Sequence, residues 1–356
     1  MKDFGHGGDI FVMDETERET FLDFSVNINP LGMSPKGRAA LAEFFSRETL
    51  RYPDIECRDL KKAIAAHDGV PAEGIVCGNG ATELMYALMR VLKPSAVYVP
   101  APCFSEYARA AAAEKIPVVS YSLDKDLDFA VTNWDFLQNL PKGCVLYAGH
   151  PNNPDGRLLS ETYFLRLAIA AEKAEGSLII DESFIDFLEG NLSYRTRISE
   201  FSQVIVITSL TKFYAVPGLR IGCTFSAPET AERIAAALYP WNVNGPVQLY
   251  ICAALSDTEY TEETKQFVRE ESIRLRRALA SVPHIKIYPG TVNFVLLSLT
   301  NGRDAAWLQQ KLLPHKIFIR QCGNYEGLDD TFFRVAVRTT EENEKLLHAL
   351  SEVLSC

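Results

Sequence analysis

From about residue 55 to 250, short runs of β-branched and aliphatic residues alternate with longer stretches whose apolar positions recur every three or four residues. A short unbroken apolar run marks a strand covered on both faces, and a 3.6-residue period marks a helix packed by one face. Strands are therefore expected at 75–77, 97–100, 118–121, 144–148, 178–181, 204–208 and 221–225, and helices at 58–67, 82–92, 104–114, 160–175 and 228–238. Alternation of this kind builds an α/β fold, a mostly parallel seven-stranded sheet sandwiched by helices. After Pro246 the pattern changes to a long charged helical stretch reaching about 280, then strands at 285–288, 293–299, 317–320 and 332–337, with helices near 304–313 and from Glu341. That order reads as a small α+β unit. The first 50 residues are rich in Gly, Pro and Asn and weakly periodic, an arm draped over the body or a neighbour. The expected division is an arm that also feeds the small domain over 1–50, a large domain over 51–250 and a small one over 251–356.

A chain of 356 residues exceeds what one hydrophobic core usually serves. Hydrophobic residues at 47% and charged residues at 23% are ordinary for a globular protein. The net charge of -10 argues against nucleic acid and anionic membrane as partners, because either demands a basic face. Local arginines must then do any anion binding. No apolar run approaches the length of a membrane span, and Met1-Lys2-Asp3-Phe4-Gly5-His6 lacks the apolar core of an export signal. The eight cysteines are scattered, with no C-x-x-C pair, so buried reduced thiols in a cytoplasmic protein are expected and a metal site is not.

Candidate chemistry gathers at strand ends. Lys212, in Ser209-Leu210-Thr211-Lys212, follows the run Val204-Ile205-Val206-Ile207. Burial there favours the neutral amine, the form that attacks a carbonyl, although a stem packed on the sheet with its ammonium in water is the plainer alternative. Asp181 ends Leu178-Ile179-Ile180, where a carboxylate needs a cation or donor. It either caps the next turn or faces a heterocyclic nitrogen. Gly78-Asn79-Gly80-Ala81-Thr82 joins a strand to a helix, as a phosphate cradle or an ordinary turn, and matches neither nucleotide-binding fingerprint. Arg220 opens the next strand as a second anion clamp. Asn153 lies in a turn-rich segment, and Phe104 either faces a flat ring or fills core.

Together, Gly80-Ala81-Thr82, Phe104, Asn153-Pro154, Asp181, Ser209-x-x-Lys212 and Arg220 resemble fold-type-I pyridoxal-phosphate enzymes of the class I/II aminotransferase group, in order and approximate spacing from about residue 20 onward. The resemblance implies that pyridoxal 5'-phosphate is bonded by Lys212, which also carries protons, while Asp181 holds the ring nitrogen and Asn153 the phenolic oxygen. Phosphate would lie among Gly80, Ala81, Thr82, Ser209 and Arg220, Phe104 would stack on the ring, and Tyr52 would reach in from a second subunit of a homodimer. Phe184 stands where many relatives have a tyrosine. Closer likeness is to the threonine-phosphate decarboxylase family of cobalamin biosynthesis, cousins of histidinol-phosphate aminotransferases. It rests on His6-Gly7-Gly8, 23–32, Pro240-Trp241-Asn242-Val243-Asn244, Asn324-Tyr325-Glu326-Gly327-Leu328-Asp329 and Phe333-Arg334-Val335-Ala336-Val337-Arg338. The implied reaction converts L-threonine O-3-phosphate to (R)-1-aminopropan-2-yl phosphate and CO2. Arg334 would take the substrate carboxylate with Arg338 nearby, and His6, Asn29, Gly32 and Arg320 are further substrate candidates. The alternatives are an aminotransferase of histidinol phosphate or a related amino acid, and a non-catalytic regulator or scaffold on the same fold.

Overall fold

The computed structural model describes residues 7–8, 19–47 and 51–355. Its strands, numbered along the chain, are β1 (Leu22–Asp23), β2 (Ile75–Gly78), β3 (Val97–Ala101), β4 (Val118–Ser122), β5 (Val145–Gly149), β6 (Ser177–Asp181), β7 (Val204–Thr208), β8 (Gly222–Phe225), β9 (Ile285–Ile287), β10 (Phe294–Leu299), β11 (Ile317–Phe318), β12 (Arg320–Gln321) and β13 (Phe332–Ala336). Seven of them form one sheet in the order β2-β8-β7-β6-β5-β3-β4. Only β8 runs against its neighbours there, so the sheet is mostly parallel. Every residue of β5 and β7 is buried, as strands covered on both faces require.

One face of the sheet packs a core that includes Leu60, Leu167 and Ile251 from the helices Arg58–Asp68, Glu161–Lys173 and Gly245–Leu255. The other face packs Leu84, Ala110 and Ile234 from Ala81–Leu92, Glu106–Ala113 and Pro228–Ala236. A third core, with Phe24, Leu275, Leu308 and Leu350, lies against the four-stranded antiparallel sheet β12-β13-β10-β9. Helix Thr258–Leu279 contributes Tyr260 and Val268 to the first core and Leu275 and Leu279 to the third, so it runs from one to the other.

Two sequence expectations are corrected here. The charged stretch after Pro246 is two helices, Gly245–Leu255 and Thr258–Leu279, because Asp257 turns its carboxylate to the Ser34 hydroxyl (2.6 Å) and the Lys36 amide (3.2 Å). Those groups begin Pro35–Arg47, a helix inside the segment expected to be a weakly periodic arm. It forms because it has the helix Gly245–Leu255 to pack on.

Parallel strands carry their exits to one edge. Gly149, Asp181 and Ile207 are register neighbours, as are Gly78 and Gly222, so the segments bearing Asn153, Asp181, Lys212, Arg220 and the Gly80 turn start at one level. Beneath that edge Arg195 ties the strand exits together. Its guanidinium meets Asp68 (2.9 Å), Asp186 (3.1 Å) and Glu182 (3.2 Å) and donates to the Thr208 hydroxyl at 3.4 Å. Glu182 and Thr208 are chain neighbours of Asp181 and Ser209. Burial pushes the Glu182 carboxyl up to about 7, against the pull of Arg195. Arg195→Met is expected to cost about 3–5 kcal/mol at pH 8 in denaturant unfolding, since it strands buried carboxylates. A carboxyl whose pKa is higher in the folded state takes up a proton as pH falls, so the deficit shrinks between pH 8 and 6. A loss below ~1 kcal/mol, or one independent of pH, contradicts this role.

Candidate active site

Lys212 sits on the four-residue helix Leu210–Phe213 that follows β7. Its Nζ donates to Ser209 Oγ at 2.8 Å, and Ser209 Oγ lies 2.8 Å from Thr211 Oγ1. Burial pushes the amine pKa down to about 8; the Asp181 charge opposes that shift, and Arg220 and Arg334 add to it. At neutral pH a useful fraction of a nucleophilic amine is thus held beside one carboxylate and two guanidiniums.

Asp181 is buried at the end of β6. Ser183 N–H donates to its Oδ1 (2.9 Å) and the Tyr107 hydroxyl to its Oδ2 (2.8 Å). Tyr107, itself buried, stacks on Tyr147 with centroids 4.5 Å apart and meets Phe104 edge-on at 5.8 Å. Sequence reasoning passed over Tyr107, although its place three residues after Phe104, at the start of a helix, puts both rings on one face.

The Gly80 turn and Arg220 are brought together. Gly80 has φ +85, and a Cβ there would lie 2.3 Å from Arg220 Nη2, so the guanidinium rests on bare backbone. Arg220 also donates to the Pro217 carbonyl at 3.1 Å. The helix Ala81–Leu92 begins without a side-chain cap, which leaves N–H groups of Ala81 and Thr82 beside that guanidinium. Glu83, which accepts from Asn79 N–H and from Asn242 Nδ2 (2.7 Å each), braces the turn. Neither Glu83 nor Asn242 had been assigned a role, and no local signal joins residues so far apart.

On the opposite side, Asn153 Oδ1 accepts from Arg334 Nη1 and lies 3.5 Å from the Tyr325 hydroxyl. Arginine only donates, so the amide oxygen is committed to it and Asn153 Nδ2 remains as a donor. Arg334 also donates to the Ser25 carbonyl (3.0 Å) and lies over the Phe294 ring at 5.2 Å. Phe184 packs edge-on against Phe294 (5.1 Å) and so supports the ring under Arg334. Ser25 Oγ accepts from Gly8 N–H at 2.8 Å, which brings the described part of the His6-Gly7-Gly8 motif beside Arg334; His6 itself lies outside the described residues. Arg320 and Arg334 face each other across β12 and β13.

Four further candidates have other partners or surroundings. Asn29 Nδ2 lies within 2.8 to 3.0 Å of the Phe213 carbonyl, the Tyr260 hydroxyl and Thr264 Oγ1, which share its two hydrogens, and its backbone N–H donates to the Lys212 carbonyl, so it braces the lysine helix. Arg338 pairs with Glu342 (2.8 Å) and donates to the Asp23 carbonyl (3.1 Å), which makes it a brace for the last helix. Tyr52 is 83% exposed and stacks on Trp241, on the surface of its own chain. Gly32, with φ +75, accepts the Tyr260 hydroxyl on its carbonyl and has open space around its Cα.

The family model for aminotransferase class I and II matches residues 19–350. A threonine-phosphate decarboxylase of Salmonella typhimurium is 36% identical over 95% of this chain and 92% of that protein. An adenosylcobalamin biosynthesis bifunctional protein of Leptospira interrogans is 33% identical over 98% of this chain and 41% of that protein. Among solved structures, the histidinol-phosphate aminotransferase of Clostridium acetobutylicum superposes with a TM-score of 0.87 at 32% identity, covering 94% of this chain and 99% of that one.

In cofactor-free protein, the pH profile of Lys212 modification by an amine-directed reagent, followed by mass spectrometry, is expected to have its midpoint near 8. Asp181→Asn should lower that midpoint, because the carboxylate favours the ammonium. A midpoint close to the ordinary lysine value of roughly 10.4 contradicts the burial.

Proposed function

The chain belongs to the class I and II aminotransferase family, and on that premise we propose that it decarboxylates L-threonine O-3-phosphate to (R)-1-aminopropan-2-yl phosphate and CO2, in the aminopropanol arm of cobalamin biosynthesis, with pyridoxal 5'-phosphate as cofactor. The observation that carries the reading is Arg334. It is a buried guanidinium held between Asn153, the Ser25 carbonyl and the Phe294 ring, acting on the Lys212 amine and facing a second arginine across the strand pair. A protein of net charge -10 that concentrates cations at one point is built for a substrate with two anionic ends.

The site fits the cofactor. A bare-backbone cradle with Arg220 against Gly80 suits its phosphate, joined by Ala81, Thr82 and Ser209, and a buried carboxylate already fixed by two donors suits a protonated ring nitrogen at Asp181. Asn153 would meet the phenolic oxygen with its free Nδ2, Phe104 would lie on the ring, and Lys212 would hold the aldehyde carbon. When bound, pyridoxal phosphate supplies an electron sink for the bond that breaks at substrate Cα. Arg334 binds the carboxylate and sets which bond at Cα stands across the ring plane. Arg320 takes the phosphate end. As the carboxyl carbon departs as CO2 its bonding pair stays at Cα, and Lys212 Nζ, its pKa lowered by burial to about 8, delivers the replacing proton there.

The homodimer is part of the same proposal. Around Tyr52 the surface exposes Phe45, Ile55, Trp241 and Leu249, an apolar face that a second copy would cover, carrying Tyr52 to the neighbouring site. The seven described cysteines are unpaired, which suits the reducing cytoplasm proposed for the enzyme, and among the described residues no helix is long and apolar enough to cross a membrane.

Purified protein supplied with pyridoxal phosphate should release CO2 from threonine phosphate with no oxo-acid present. Strict dependence on 2-oxoglutarate, with glutamate formed, would identify an aminotransferase instead. Arg334→Ala should lower kcat/KM by about 100- to 1000-fold, the cost of stranding a buried anion partner. A loss under ~10-fold removes Arg334 from the carboxylate. Light scattering should give twice the chain mass; full activity at monomer mass excludes shared sites.

A further inference from the structure

The segment Asn324-Tyr325-Glu326-Gly327-Leu328-Asp329 has no part in the chemistry above. It joins β12 to β13. Two polar anchors tie it to β4 and the turn that follows: Glu326 accepts the Ser120 hydroxyl of β4 at 2.6 Å, and Asp329 pairs with Lys125 at 2.9 Å. Between them Gly327, at φ +87, lies against the end of β3, where a Cβ would come 3.3 Å from the Ala101 carbonyl. Within the loop, Tyr325 N–H donates to the Cys322 carbonyl (3.0 Å) and Leu328 N–H to the Tyr325 carbonyl (3.1 Å).

These constraints turn Tyr325 inward. Its ring centroid is 5.2 Å from Arg320 Cζ, and its hydroxyl approaches the amide oxygen that Arg334 also engages. Arg320 Nη2 donates to Asn324 Oδ1 at 2.9 Å, so the loop holds the guanidinium by an edge and a face. A cavity of about 430 Å³ opens beside them, lined by Cys103, Ser105, Arg109, Arg320 and Tyr325. Arg320 and Arg334 are cross-strand partners of like charge, and repulsion would swing the less constrained one toward solvent. A planar guanidinium seated on a ring keeps its donor fork in one plane and loses little further freedom when an anion arrives.

Resting on the decarboxylase reading, we propose that Tyr325 is a positioning residue for the phosphate end of the substrate: its ring seats Arg320, and the anchored loop seats the ring. The test is a double-mutant cycle on cofactor-loaded protein with Tyr325→Leu, Tyr325→Phe, Arg320→Met and Tyr325→Leu/Arg320→Met. Tyr325→Leu should raise KM for threonine phosphate by about 3- to 30-fold with kcat within about twofold, the range of a cation–π contact. Tyr325→Phe, which keeps the ring, should stay within about twofold of the parent, and Tyr325→Leu should add no further loss once Arg320 is methionine. The same cycle read as inorganic phosphate binding by calorimetry needs no turnover, so it stays legible even if the parent protein releases no CO2. Additive losses, a Tyr325→Leu value within twofold of the parent, or a Tyr325→Phe loss as large as that of Tyr325→Leu would overturn the assignment.

Discussion

An amine crowded by protein, with Arg220 and Arg334 pressing on it and Asp181 set against them, is a local excess of positive charge inside an acidic molecule. Burial alone would drive the lysine neutral and leave the arginines seeking anions. Such an arrangement persists because folding energy from three cores holds it, and it is relieved when anions enter. The features around it follow from that constraint. Arg220 lies on Gly80 and Arg334 meets Asn153, two points where an anion would offset the local charge.

Keeping charged groups at such spacing requires rigid supports, and these are drawn from every layer of the chain. Arg195 locks the exits of β6 and β7 from beneath, so that Asp181 and Ser209 stand at fixed height. Asn29 reaches across 184 residues to hold the end of the lysine helix. Phe184 and Phe294 form a ring ladder under Arg334. The hydroxyl that approaches Asn153 comes from Tyr325.

The large sheet was legible because β-branched runs such as Val204 to Thr208 have one stable use, and helix and strand periods differ enough to be told apart. That Lys212, Asp181 and Arg220 would come near one another was legible for a related reason: charge at the boundary of an apolar run is conspicuous. What stayed hidden depends on distant partners. The helix Pro35–Arg47 has little pattern of its own and needs the helix Gly245–Leu255 beside it. Tyr107, Glu83 and Asn242 look like ordinary helix or loop residues until folding brings their partners near. Asn29 and Arg338 were singled out by their motifs, but their partners at Phe213, Asp23 and Glu342 were not legible. A sequence gives the residue type but not the direction in which it points.

All of this hangs on which amine carries the cofactor. Borohydride reduction of protein loaded with pyridoxal phosphate, followed by peptide mapping, should place a single pyridoxyl group on Lys212 and none in Lys212→Ala. A label on another lysine, or no label in the unmodified chain, would contradict the account at its root.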